Sequence, residues 1–241
     1  MKKNYVLVHG AWGGKWELEE IGQKLRAKGH NVLIDNLPGH GDDVANAKTV
    51  TMNDYVQSVI STINKAEGKV ILVGHSLGGA IISQVGESVP NQIEKLVYIS
   101  AALPKSGEST LSLLQGSNSL ILEKLIFSED QSYATLAPQD IKDVLLNDID
   151  DETAKEYVED LSVPQAVEPF TFAPTLTDRN FGSLKKYYLR SEKDLVMSTA
   201  LQDEMIKNWK VEKVFTLESG HFPIFSMPQE VSDILTEIGQ D

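Results

Sequence analysis

Val70-Ile71-Leu72-Val73-Gly74-His75-Ser76-Leu77-Gly78-Gly79-Ala80-Ile81-Ile82 is the stretch from which the rest of the chain is read. Val70 to Val73 are apolar, mostly β-branched and too few for a helix, so they suit a strand buried on both faces. Gly74 to Gly78 match Gly-x-Ser-x-Gly, and from Ala80 the chain is apolar and helix-compatible. Strand, sharp turn and helix are the context in which this pattern holds a serine at the tip of a strained turn. Side chains at Gly74 and Gly78 would have no room against the neighbouring strand and helix. The turn lifts the Ser76 hydroxyl out at the carboxyl end of a sheet and aims a helix N-terminus at it. The Leu77 N–H then becomes a donor for a developing oxyanion. A tight glycine turn with a bystander serine is the bland alternative, and it explains neither the buried strand before the turn nor Gly-Gly-Ala after it.

Upstream, Asn4 to Val8 is a short apolar run that ends in His9-Gly10-Ala11-Trp12-Gly13-Gly14-Lys15-Trp16, a strand followed by a glycine-rich loop. Such loops bring backbone N–H groups close to a ligand. Neither a Walker pattern nor Gly-x-Gly-x-x-Gly is present, so nucleotide binding has no support. Trp16 to Lys28 fits a helix closed by Gly29; Val32 to Ile34 reads as a strand; Pro38 to Asp43 is a loop by composition. His40, Asp42 and Asp43 sit in that one turn without a second cluster, which favours a solvated loop over a metal site. Met52 to Asn64 repeats its apolar positions at the helical period, and Lys95 to Ser100 reads as the next buried strand.

Strands alternating with helices imply an α/β fold with a mostly parallel central sheet and helices on both faces. Ligands then bind beyond the carboxyl ends of the strands, where both His9-Gly10-Ala11 and Ser76 fall. The pattern changes after Ala102. Residues 104–178 carry helical stretches at Leu111–Leu114, Leu120–Phe127, Ile141–Asn147 and Glu152–Leu161, no clear buried strand, and a tail with Pro164, Pro169 and Pro174. This reads as an inserted helical cap over the site between two parts of a core, 1–103 and 179–241; an ordinary helical layer elsewhere on the surface is the alternative. Lys185 to Arg190 resumes the strands, Glu212 to Leu217 is the last, and a terminal helix covers Pro228 to Gly239.

The bulk numbers narrow the function classes. A net charge of −13 repels nucleic acid and anionic membrane alike. The absence of cysteine removes disulfides, thiolate nucleophiles and thiolate metal sites. Met1-Lys2-Lys3 imitates the charged start of a signal peptide, but the apolar run after it is too short, and nowhere is there a run long enough to span a bilayer. A soluble cytoplasmic protein is expected.

A serine hydroxyl needs a base that is available near neutral pH, and histidine supplies one. Of the five histidines, His30 and His40 read as surface residues, His75 as a packing residue beside the serine, and His9 as a support for the loop backbone. His221 stands in the loop after the last strand, where the base belongs. The acid belongs at the end of the preceding strand, where Asp194 and its competitor Glu192 both lie. Ser76…Asp194…His221 is the order found in α/β-hydrolases.

With these residues in view, the chain resembles the α/β-hydrolase superfamily, and within it the branch of plant methylesterases, hydroxynitrile lyases and bacterial pyrethroid-hydrolase-like esterases. The likeness is carried by Val6-Leu7-Val8-His9-Gly10-Ala11-Trp12, Leu37-Pro38-Gly39-His40-Gly41, Gly74 to Gly79, Lys193-Asp194, Pro174 to Gly182 and Gly220 to Pro228. The resemblance implies a carboxylesterase that forms an acyl-serine, with Ser76 as nucleophile, His221 as base, Asp194 rather than Glu192 as the orienting acid, and the N–H groups of Ala11 and Leu77 as the oxyanion hole. It implies no metal and no organic cofactor. Trp12 and Phe222 are candidates for the pocket wall or the core. The lyases of this branch carry a hydroxyl residue at the Ala11 position and a lysine directly after the catalytic histidine, so Ala11 and Phe222 argue for the esterase. Other hydrolase-fold chemistry on amides, lactones or carbon–carbon bonds, or a non-enzymatic receptor for a small ligand, stays open. The implied partner is a small-molecule ester, with no nucleic acid and no membrane; a homodimer is left open.

Overall fold

The computed structural model describes residues 2–241; Met1, the first residue of the basic start weighed above, lies outside them. Strand β1 (Asn4–Val8) leads into the glycine loop. A 3-10 turn at Lys15–Leu18 then opens helix α1 (Glu19–Ala27), which buries Ile21 and Leu25. The helix ends before Gly29, whose φ of +87° is a left-handed conformation that favours glycine. Strand β2 (Asn31–Ile34) follows. The loop expected by composition continues as a 3-10 helix over Gly41–Thr49. Helix α2 (Met52–Ile63) starts on a reciprocal cap: the Thr51 side chain accepts from the Asp54 N–H while the Asp54 carboxylate accepts from the Thr51 N–H. Strand β3 (Val70–His75) gives way through the Ser76 turn to helix α3 (Gly78–Ser88), and strand β4 (Ile93–Ile99) comes next.

Segment 104–178 differs from the expected run of helices. Helix α4 (Thr110–Gln115) forms as read. Leu120–Phe127 does not become a helix: it holds a 3-10 turn at Leu122–Lys124 and then strand β5 (Ile126–Phe127). Strand β6 (Tyr133–Thr135) pairs antiparallel with β5, Ile126 opposite Thr135. Helix α5 (Pro138–Asp140) runs on as a π-helix over Ile141–Leu145, and helix α6 (Asp151–Leu161) follows its Asp150 cap. Strand β7 (Gln165–Ala166) pairs with β6, and helix α7 (Glu168–Thr171) completes the segment. A separate three-stranded sheet therefore stands where no strand was read. Strands of two or three residues are too short for apolar alternation to register, so the sequence carries no signal for them.

The core resumes with strand β8 (Lys185–Ser191), helix α8 (Thr199–Asn208), strand β9 (Lys213–Leu217), the short helix α9 (Pro223–Ser226) and helix α10 (Pro228–Gln240). Six strands pair in the order β2-β1-β3-β4-β8-β9, each pair parallel. Helix α1 packs on α10, and α2 on α3. Side chains along a strand point alternately to opposite faces. Val70, Ile71, Leu72 and Val73 are nonetheless all 0–1% exposed, so both faces at β3 are covered, each such side chain contributing about 1.5–3 kcal/mol relative to exposure.

The order fixes where a ligand can bind. Strand β1 has β2 on one side and β3 on the other, so the chain reverses its winding there and a crevice opens beyond the carboxyl ends of β1 and β3. No helix among the described residues is long and apolar enough to cross a membrane. The cap of α2 is solvent-exposed. Thr51→Ala removes it and is expected to lower unfolding stability by about 0.5–2 kcal/mol, read as a lower urea midpoint with an unchanged slope.

Candidate active site

Ser76 sits directly after β3 with φ +52°, a left-handed backbone on a residue that has a Cβ. Its surroundings hold that conformation. The Ser76 N–H donates to the Ile99 carbonyl at 3.3 Å, and the Ser76 carbonyl accepts from Gly79 and Ala102, each at 3.0 Å. A Cβ on Gly74 would lie 2.6 Å from the Gly78 carbonyl oxygen, and one on Gly78 would lie 2.7 Å from that of Val8. Strand, turn and helix are thus packed backbone to backbone, which only glycine allows at those positions.

The hydroxyl so presented meets one residue from another strand end, which in turn meets a second. His221 Nε2 lies 2.8 Å from Ser76 Oγ, and His221 Nδ1 lies 2.9 Å from Asp194 Oδ2. The other Asp194 oxygen accepts the N–H groups of Val196 and Met197 at 2.8 and 2.9 Å. A carboxylate that only accepts requires the proton on His221 Nδ1, which leaves Nε2 free to accept from the Ser76 hydroxyl. All three side chains are buried, Ser76 the most open at 8%. Glu192, the rival acid, is exposed and lies 3.6 Å from Arg190.

Ala11 and Leu77 flank the serine, and their backbone N–H groups have no protein acceptor among the described residues. Both line the same apolar cleft as Ser76 and His221. Trp12 and Phe222 line it too while being 4% and 2% exposed, so each is at once pocket wall and core. Leu114, Leu125, Leu145 and Phe170 of segment 104–178 also line the cleft. No group of three or more potential metal ligands occurs among the described residues.

Several residues that build this site carried no sequence signal. Gln165 on β7 accepts the Trp12 N–H at 3.2 Å and donates to the Tyr55 hydroxyl at 3.0 Å. That hydroxyl meets His40 Nε2 at 3.0 Å, and His40 Nδ1 reaches the Gly13 carbonyl at 2.9 Å. The expectation that His40 is a surface residue is therefore corrected: it is 2% exposed and holds the glycine loop from beneath. His9 acts on the same loop, with Nδ1 toward the Gly10 carbonyl at 2.8 Å and Nε2 accepting from Leu37 N–H at 3.0 Å. Burial lowers the pKa of His9, and burial together with nearby His9 takes His40 down to about 3. The adjacent residues Asn147 and Asp148 tie two further loops together. Asn147 donates to the Lys193 carbonyl beside Asp194, and Asp148 accepts from the Gly220 N–H beside His221, at 2.9 and 2.7 Å. His75, read as a packing residue, uses both ring nitrogens. Buried Glu17 was not singled out by the sequence at all.

The comparisons with known proteins agree with this architecture. The sequence profile described as the Alpha/beta hydrolase family matches residues 5–234. "Putative methylesterase 13, chloroplastic" of Arabidopsis thaliana is 33% identical over 99% of this chain. The chain spans little more than half that relative's length, 56%. The "Carbendazim hydrolyzing esterase" of Nocardioides sp. (strain SG-4G) is 29% identical, with 98% of this chain and 99% of that protein covered. Among solved structures, a pyrethroid hydrolase from Sphingobium faniae JZ-2 superimposes with a TM-score of 0.87 over 100% of this chain and 98% of its own, at 22% identity, a likeness that speaks for the fold.

The low His40 pKa has a consequence for stability. Between an unfolded pKa of about 6.5 and the folded value of about 3, the unfolded chain binds a proton that the folded protein does not. His40 therefore contributes stability that is present above about pH 6.5 and is lost as pH falls toward 3, by about 2 kcal/mol between pH 7 and pH 5. Urea unfolding at the two pH values is expected to show His40→Gln losing less stability over that interval than wild type.

Proposed function

Since the chain belongs to the alpha/beta hydrolase family, we propose that it is a carboxylesterase acting on neutral, small to medium hydrophobic esters through an acyl-serine. The observation that carries this reading is the continuous hydrogen-bonded line Asp194–His221–Ser76 ending in an apolar cleft beside two unused N–H groups. Residues 104–178 act as the cap over that cleft, between core parts 1–103 and 179–241.

In this mechanism His221 Nε2 takes the Ser76 proton as Oγ attacks the ester carbonyl, and the Ala11 and Leu77 N–H groups receive the carbonyl oxygen as it becomes an oxyanion. Collapse breaks the bond to the alkoxy group, which leaves as the alcohol with the proton from His221. Water then gives its proton to His221 and attacks the acyl-serine, and the acid departs with Ser76 restored. Asp194 keeps the imidazole in the required tautomer throughout. Trp12 and Phe222 shape the wall against which the substrate lies.

The lining of the cleft contains no lysine or arginine among the described residues. This supports a neutral substrate, and it leaves a cyanide anion without the cation a hydroxynitrile lyase supplies. A chain without cysteine is compatible with the cytoplasm, which is the compartment we propose.

Ser76→Ala is expected to lower kcat on an aryl ester by about 10⁴-fold or more with melting unchanged, and a serine-directed phosphonate is expected to label wild type at Ser76 alone. Cyanide release from mandelonitrile by a protein that hydrolyses no ester offered would sink the esterase reading, and saturable ligand binding without turnover would make the protein a receptor. For the acid, Asp194→Asn is expected to cost about 10⁴-fold and Glu192→Gln little; the reverse ranking would reassign it.

A further inference from the structure

Glu17 is a carboxylate only 1% exposed, in the 3-10 turn that opens α1, and the mechanism above makes no use of it. Its Oε1 accepts the Gly10 N–H at 2.8 Å and faces His75 Nδ1 at 3.2 Å. The other ring nitrogen, His75 Nε2, faces the backbone carbonyl of His221 at 2.9 Å. Gly10 precedes Ala11 and its oxyanion-hole N–H, His75 precedes the nucleophile, and His221 is the base. One acid–imidazole pair thus touches all three segments that must agree for the reaction. We infer that Glu17 and His75 form a proton-sharing latch that sets the register of oxyanion hole, nucleophile and base, with Glu17 a positioning residue acting through His75. The inference rests on the esterase reading.

Counting donors gives the latch its chemistry. The His221 carbonyl only accepts, so His75 Nε2 carries a proton. Glu17 Oε1 already accepts from Gly10, and the contact between Oε1 and Nδ1 then needs one further proton, held by the carboxyl or by the ring. With that proton the pair is neutral overall in either form, the condition under which a buried acid is tolerated. Oε2 has no partner, and it is packed against Gly13, where a Cβ would collide with it. His9, His221 and, through His221, Asp194 are the other titratable groups around the pair.

Glutamine fills the same space and cannot do the same work. With its oxygen accepting from Gly10, it offers no proton to Nδ1. His75 must then move its proton to Nδ1 and abandon the His221 carbonyl, or leave Nδ1 unpaired. Turned over, the amide sets two donors face to face at Gly10. Each arrangement releases one segment. A displacement of about 1 Å in a catalytic group costs on the order of 10²-fold.

The test measures aryl-ester hydrolysis by wild type, Glu17→Gln, His75→Phe and the double variant. Glu17→Gln is expected to lower kcat about 10- to 100-fold with KM within about threefold, and to add nothing once His75 is Phe. Unchanged kcat in Glu17→Gln, or independent multiplying losses in the double variant, overturns the latch. Nitrogen-15 NMR of the histidine rings in wild type needs neither turnover nor a stable variant. His75 is expected to keep an exchange-protected Nε2–H, and a His75 ring protonated only at Nδ1 overturns the latch. A wild type that hydrolyses no ester but shows that Nε2–H would remove the esterase reading and leave the latch standing.

Discussion

The left-handed backbone of Ser76 is the constraint on which the rest of the site depends. A residue with a Cβ holds that conformation at a cost of order 1–3 kcal/mol, so the surrounding structure must over-determine it. Here β3 enters from a layer covered on both faces, and α3 leaves within two residues, closely packed against the end of β1 through Gly78. The hydroxyl consequently projects from a rigid scaffold into the one crevice that the sheet order opens.

Loops arriving from β1, β8 and β9 have no such rigidity of their own, and the structure fixes them through buried polar contacts. Gln165, Tyr55 and His40 hold the glycine loop from the side of segment 104–178 and α2, while Asn147 and Asp148 hold the loops that carry Asp194 and His221. The segment whose side chains line the cleft thereby also supports these loops. Its leucine and phenylalanine side chains keep the cleft apolar, where hydrogen bonds to a developing charge are stronger than in water. Glu17 and His75 supply the remaining link, from behind the serine.

Neutral histidine recurs in this arrangement. Burial disfavours the charged form of His9 and His40, and each then offers one donor and one acceptor, which His9 uses on the Gly10 carbonyl and Leu37 N–H and His40 on the Gly13 carbonyl and the Tyr55 hydroxyl. A lysine in either place would bring a charge and no acceptor.

The sequence by itself determined the strand-turn-helix at Ser76, the alternation that makes the sheet parallel, and the chain order of a serine, an acid and His221. These are legible because steric exclusion at glycine and apolar periodicity act between residues close in the chain. It left Asp194 and Glu192 as rivals, since both lie within reach of the same strand end; the fold separates them by turning one inward and leaving the other exposed against Arg190. It had no means of showing that His40 is buried, that Gln165 reaches Trp12 from 153 residues away, or that Glu17 meets His75 across 58. A polar side chain has the same local signature whether it faces water or a buried partner. Which of the two it meets depends on contacts between distant elements, and only the tertiary structure decides that.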